Sequence, residues 1–181
     1  MRDAFSDKGY LQMVEDLIYH PEVLKLKSYR HHKVNNRYRH SIEVSYLTYR
    51  MALKLKLKAD EVARGALLHD LYYYDTCIKD KEGYNNHLTT HPEIALHNAS
   101  KITEITPIMK DMILTHMYYG SGKHPKPRYK ESWCLVIADK MATLDDGGEF
   151  LIYAKEFYKV IYKEKQRLTL EEYSLKYPVH I

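Results

Sequence analysis

The chain lacks any run of about eighteen apolar residues, so no membrane-spanning helix is expected. Its opening stretch, Met1 to Asp7, has no apolar segment of the kind a secretory signal carries. Cysteine is scarce: Cys77 and Cys134 stand far apart and form no CxxC, which excludes a disulfide framework and fits reduced thiols in a cytoplasmic protein. There is no internal repeat, no low-complexity linker and no heptad array, so neither a repeat solenoid nor a coiled coil is expected. One-sided charge is missing as well. The formal net charge is +4, and the basic groups (Lys54, Lys56, Lys58; Lys123, Lys126, Arg128, Lys130) are interrupted by acids elsewhere. That balance suits a small anionic substrate better than a stable nucleic-acid complex, whose footprint is more one-sided. The sequence does not distinguish a monomer from a homodimer.

What is present is a globular composition, 45% hydrophobic over 181 residues, enough for one domain spanning residues 1–181 with a core of its own. The chain reads as a succession of helices separated by polar breaks. The first two are expected near residues 8–19 and 21–29, divided by His20-Pro21. Over 38–57, Val44, Leu47, Met51 and Leu55 form one apolar stripe, and His40 lies four residues before Val44 on the same face. Over 60–74, Val62, Ala66 and His69 repeat the pattern, with Gly65 allowing another helix to come close. Residues 75–89 read as a long loop. Thr90-His91-Pro92-Glu93 reads as a capping box opening a helix to about 101, with Pro92 in its first turn. Thr106-Pro107 opens the next helix, with Met109, Ile113 and His116 on one face and Gly120 and Gly122 ending it. Residues 129–144 and 149–166 complete the set; the tail 167–181 is left unassigned. No strand is expected, and the fold class is all-α, a single-domain helical bundle.

His40, the pair His69–Asp70, His91, His116 and Asp139 carry the chemistry. Imidazoles and carboxylates are the side chains that hold transition metals. A single buried histidine is more often a hydrogen-bonded core residue, but here several helices each turn His or Asp inward. Few inward-facing Arg or Lys residues are available to pair with a buried Asp70 or Asp139, and an unpaired buried carboxylate is costly. Bound metal is the economical explanation. His31, His32, His87, His97, His124 and His180 are expected mostly in loops or on the surface. His87 and His91 are four apart, but Leu88–Thr90 reads as loop, so they are not expected to share a helical face, and His87 is a reserve ligand only. Tyr72, Tyr73 and Tyr74 read as packing residues in preference to a wall for a nucleobase.

In order and spacing, Arg39-His40-Ser41, Gly65 to Asp70 and Ile137-Ala138-Asp139-Lys140 resemble the HD-domain superfamily of metal-dependent phosphohydrolases, over roughly residues 30–145. On that resemblance the HD core lies at 30–145, with the N-terminal helices and a C-terminal helix packed on it. His91 and His116 look like the extra histidines of the subgroup with a dinuclear centre, which includes iron-binding enzymes that split symmetrical dinucleoside tetraphosphates. Small bacterial HD hydrolases are similar too, including over Pro127 to Ser132. The pattern departs from several subfamilies at Leu71-Tyr72, where they carry Ile-Gly, and the Gly-Tyr-Pro signature of the cyclic-dinucleotide phosphodiesterases is absent.

The resemblance implies two divalent transition ions, iron foremost and manganese, zinc, cobalt or nickel as alternatives. His40, His69, Asp70 and Asp139 would hold the first. Asp70 would bridge to the second, completed by His91 and His116. A hydroxide held by the ions would attack a phosphoester or phosphoanhydride of a nucleotide-like substrate. Lys140 and Arg128 are candidates for gripping phosphate, and His32 for protonating the leaving oxygen. Two other readings use the same residues: a di-iron oxygenase and a non-catalytic nucleotide-binding module.

Overall fold

The computed structural model describes residues 2–31, 35–74, 87–121 and 124–144. Two helices, α1 (Arg2–Ser6) and α2 (Lys8–Ile18), lead into α3 (Pro21–Leu24) and a 3-10 turn, Lys25–Ser28. Asp7 caps α2 by accepting the Tyr10 N–H, and His20 caps α3 through its Nδ1. A two-residue ladder, β1 (Arg30–His31) with β2 (Asn35–Asn36), pairs antiparallel, the one strand pairing among the described residues. The fold is otherwise all-α, as the periodicity predicts.

The long helix α4 (Arg37–Leu55) begins where the Asn36 side chain accepts the Arg39 N–H. It packs on α5 (Ala59–Leu68) and α9 (Lys130–Leu144). In turn α5 lies against α2 and α7 (Pro107–Thr115), and α7 against α9 and α6 (His87–Ala99). The predicted stripe is real: Val44, Met51 and Leu55 are buried together with His40, while Leu47 sits at its margin. Gly65 performs the task expected of it. A Cβ there would stand 3.1 Å from Met112 Sδ and 3.4 Å from Met109 Cα, so its absence lets α5 and α7 close on one another.

Three boundaries differ from expectation. Helix α5 stops at Leu68, so His69 is its C-cap and Asp70 lies in the following turn, not within a helix reaching 74. Helix α7 stops at Thr115, with His116 as its C-cap, and a separate turn α8 (Tyr118–Ser121) follows. Helix α6 starts at His87, so Thr90 is inside it and Pro92 is internal. Proline cannot donate to the carbonyl four residues back, which here belongs to Leu88. His124 Nε2 donates to that oxygen at 2.7 Å and supplies the lost bond from outside the helix. The expected helix at 149–166, the tail 167–181, Cys77, Gly122 and most of the predicted 75–89 loop lie outside the described residues. Cys134 is buried, which pushes its thiol up to about 12 and makes it a packing residue.

The C-terminus of α4 holds a backbone irregularity with a measurable consequence. Lys56 adopts φ 57°, the left-handed region that glycine favours. Leu57 N–H reaches Ala52 O and Lys56 N–H reaches Leu53 O, the Schellman pair that normally has glycine at this position. Lys56→Gly is therefore expected to stabilise the fold by about 1 kcal/mol. Thermal unfolding should show this as a rise of about 2–4 °C in Tm.

Candidate metal centre

Five helices deliver the imidazoles and carboxylates to one place. His40 comes from the second turn of α4 and His91 from the middle of α6, while Asp139 projects from α9. His69 and His116 are the C-caps of α5 and α7. Asp70 follows its cap directly. All six are buried, from His69 at 0% to Asp139 at 6% exposure.

Local backbone geometry fixes which ring nitrogen faces inward. His69 Nδ1 lies 2.7 Å from Ala66 O, His116 Nδ1 2.7 Å from Ile113 O, and His91 Nδ1 2.7 Å from His87 O. A carbonyl oxygen only accepts, so each Nδ1 carries the proton, and a ring in its neutral form leaves Nε2 as a bare lone pair. Two of these anchors exist because the histidine ends its helix, where the last carbonyls have no backbone donor. The same arrangement orients histidine ligands in metal sites.

The inward atoms fall into two sets divided by Asp70. On one side, His40 Nε2 is 3.1 Å and His69 Nε2 is 3.7 Å from Asp139 Oδ1. Asp70 Oδ2 faces this set, 3.7 Å from His69 Nε2. On the other side, Asp70 Oδ1 is 3.4 Å from His91 Nε2 and 3.6 Å from His116 Nε2. One carboxylate thus presents an oxygen to each set.

Two features fit these residues to cations. His69 Nε2 is buried with no hydrogen-bond partner, an orphaned donor atom of the kind that demands an explanation. His91 Nε2 and His116 Nε2 stand 2.9 Å apart, yet neither neutral ring has a proton to place between them. Burial pushes the His116 imidazole down to about 3 and lowers His91 as well, so protonation does not relieve the contact. A shared cation does, since two adjacent ligands about 2.1 Å from one ion are separated by about this distance. The nitrogen and oxygen donors suit first-row transition ions.

Charge balance points the same way. Burial acts to raise the Asp139 carboxyl, but its hydrogen bond with His40 and the neighbouring His69 ring hold it well below the usual range. Burial acts to lower His69, yet the carboxylates of Asp70 and Asp139 outweigh it and hold the ring up at about 9. Without a cation, one imidazolium faces two buried carboxylates. His40, His69 and Asp139 form one group with metal-holding spacing, and His69, Asp70 and His116 another.

The remaining predicted residues divide. Lys140 places its Nζ 3.8 Å from Asp139 Oδ2, at the edge of the cluster. Arg128 is exposed, and its backbone N–H rather than its guanidinium ties that segment down, donating to Asp111 Oδ2. His32 lies outside the described residues. Tyr72 is buried, as the packing reading has it.

His87 needs correcting. Because α6 starts early, His87 and His91 do share a helical face, with rings stacked at 4.5 Å. Tyr74 Oη holds His87 Nδ1 at 2.9 Å. Burial pushes His87 down to about 4, which keeps it neutral beside His91. Arg37 carries no sequence signal at all. It is wholly buried three residues before His40, with its guanidinium 3.6 Å from the centre of the Tyr72 ring.

Comparison with known proteins places the sequence in a family. Ribonuclease Y of Thermotoga petrophila, of Thermotoga sp. strain RQ2 and of Thermotoga maritima is 38% identical to the chain over 132 residues, covering 71% of this chain. The chain spans only 23% of the length of those relatives. No solved structure matches at comparable stringency. The HD domain profile matches residues 37–144, the stretch that contains all six buried His and Asp residues, and the chain belongs to the HD domain family.

Proposed function

We propose that the protein is a metal-dependent phosphohydrolase whose buried His/Asp cluster holds two divalent transition ions. The observation that carries this reading is the division of Asp70: Oδ1 faces His91 and His116 while Oδ2 faces His69. A carboxylate so placed serves both sets at once. His40, His69 and Asp139 would hold one ion and His91 and His116 the other, with Asp70 available to both. Bound there, such ions lower the pKa of water and polarise phosphoryl oxygens, supplying nucleophile and charge stabilisation together.

The chain's own residues do the rest. The Nδ1 anchors on Ala66, Ile113 and His87 carbonyls keep the imidazoles oriented, so little reorganisation is needed when charge develops. Lys140, at 18% side-chain exposure, extends a cation from the cluster edge toward an incoming phosphate. Arg128 and His32 are assigned only to the approach: Arg128 as a second phosphate contact, His32 as proton donor to the leaving oxygen.

Family membership and a small net charge support one substrate class, a nucleotide-like phosphoester or phosphoanhydride. The relatives' name favours one further member of that class, a phosphodiester in RNA. Protein purified without chelator is expected to carry transition metal and to release product from a nucleotide panel or a short RNA, with activity lost on chelation and restored by iron or manganese. Undiminished turnover after complete metal removal would overturn the assignment.

A further inference from the structure

Beyond the metal cluster, one side-chain group has no role in what is described above. Tyr118, Tyr119 and Trp133 meet in a cluster, with ring centroids 4.9 Å, 5.6 Å and 6.1 Å apart. Core aromatics are buried, but Tyr119 is 54% exposed and Trp133 is only partly covered. Leaving such rings in water costs free energy unless something covers them in use.

Their position says what. His116, a ligand of the cluster, is followed within three residues by Tyr118 and Tyr119, so the turn α8 grows directly out of the metal site. Gly120 then brings that turn over Lys140: a Cβ on it would stand 3.8 Å from Lys140 Nζ. On α9, Trp133 and Lys140 are seven residues apart, two turns along one face, a separation of about 10 Å. A cation beside the metal ligands thus sits at one end of a short surface, and open aromatic faces sit at the other. Phosphate and base in a nucleotide are separated on that scale.

We propose that Tyr118, Tyr119 and Trp133 form a stacking surface for the nucleobase of the substrate, with Lys140 and the metal centre taking its phosphate. This rests on the phosphohydrolase reading and narrows it to substrates that carry a base. Stacking is sequence-tolerant because every base has a π face, and it serves a free nucleotide and the terminal residue of an RNA strand alike.

Trp133 is the single tryptophan of the chain, so its fluorescence reports the site without turnover. The full chain loaded with manganese is titrated with AMP, adenosine, ribose 5-phosphate and a short oligoadenylate. AMP and adenosine are expected to quench Trp133, and ribose 5-phosphate to leave it unchanged. Tyr119→Ala, a change at an exposed position, should raise the AMP concentration for half-quenching about tenfold, and Tyr119→Phe should restore it. Tighter quenching by the oligoadenylate than by AMP would support the surface and identify RNA as the source of the base; the reverse order would support it with a free nucleotide. Equal responses to AMP and ribose 5-phosphate, or no response to AMP, would overturn it. The two readings fail separately. Quenching by AMP with no ester cleaved removes the hydrolase and keeps the surface. Cleavage of base-free esters as fast as nucleotides, with Trp133 silent to AMP, does the opposite.

Discussion

Asp70→Ala is expected to empty both halves of the metal centre and to lower phosphohydrolase turnover by on the order of 10³-fold, the scale set by losing one preorganised charge-stabilising group. The expectation comes from the two directions in which that carboxylate points. Its Oδ1 lies 3.4 Å from His91 Nε2 and its Oδ2 lies 3.7 Å from His69 Nε2. His116→Ala, by contrast, removes a nitrogen from one set only and should leave the ion held by His40, His69 and Asp139. Elemental analysis of the two variants side by side is the decisive measurement. Equal metal content would show that Asp70 is not shared.

Stability separates metal loss from misfolding. Metal that binds only the folded state adds RT ln(1 + [L]/Kd), about 4 kcal/mol at a thousandfold excess over Kd. The wild-type Tm should therefore fall on chelation, whereas Asp70→Ala should have a Tm that ignores chelator. Its far-UV circular dichroism should remain helical, because Asp70 lies beyond the end of α5 and takes no part in that helix.

These residues were visible in the sequence because helical phase places them. His40 precedes Val44 by one turn, and His116 follows Ile113 by three residues, so burial of the apolar stripe carries the imidazole inward with it. What phase does not reveal is a helix end. The reading of α5 as continuing to 74 misses that His69 terminates it, although this termination frees Ala66 O to anchor the ring. Long-range substitution for a missing bond is equally hidden. Pro92 reads locally as a first-turn residue, and only the folded chain brings His124 to the Leu88 carbonyl, which admits the earlier turn and with it His87. The aromatic group on α8 and α9 is hidden in the sequence for a similar reason: Tyr118 and Trp133 are fifteen positions apart, and tyrosine is common throughout the chain.

Arg37 is the clearest case of a determinant without a sequence signal, and its replacement is the second large effect expected. Arginine is ordinarily exposed, yet this one is wholly buried. Its Nη1 donates to Tyr72 O at 2.9 Å and its Nη2 to Tyr74 O at 3.1 Å, while the guanidinium stacks on the Tyr72 ring. Tyr72 in turn packs against His91 at 5.3 Å and His87 at 5.2 Å. The arginine therefore pins the strand of chain that leaves Asp70 and, through Tyr72, the ring of His91. Arg37→Met keeps the bulk but strands one buried and one partly buried carbonyl, each worth up to about 1–3 kcal/mol. A loss of about 2–5 kcal/mol in denaturant unfolding is expected on that basis. Metal affinity should fall on the order of 10–100-fold, as it does when groups behind the ligands are removed. Arg37→Lys separates the two contributions. A lysine retains the charge but neither spans both carbonyls nor stacks as a plane, so it should recover part of the stability and little of the metal affinity. If Arg37→Lys binds metal as tightly as wild type, the guanidinium acts on the centre through its charge alone, and the stacked Tyr72 is not what holds His91 in place.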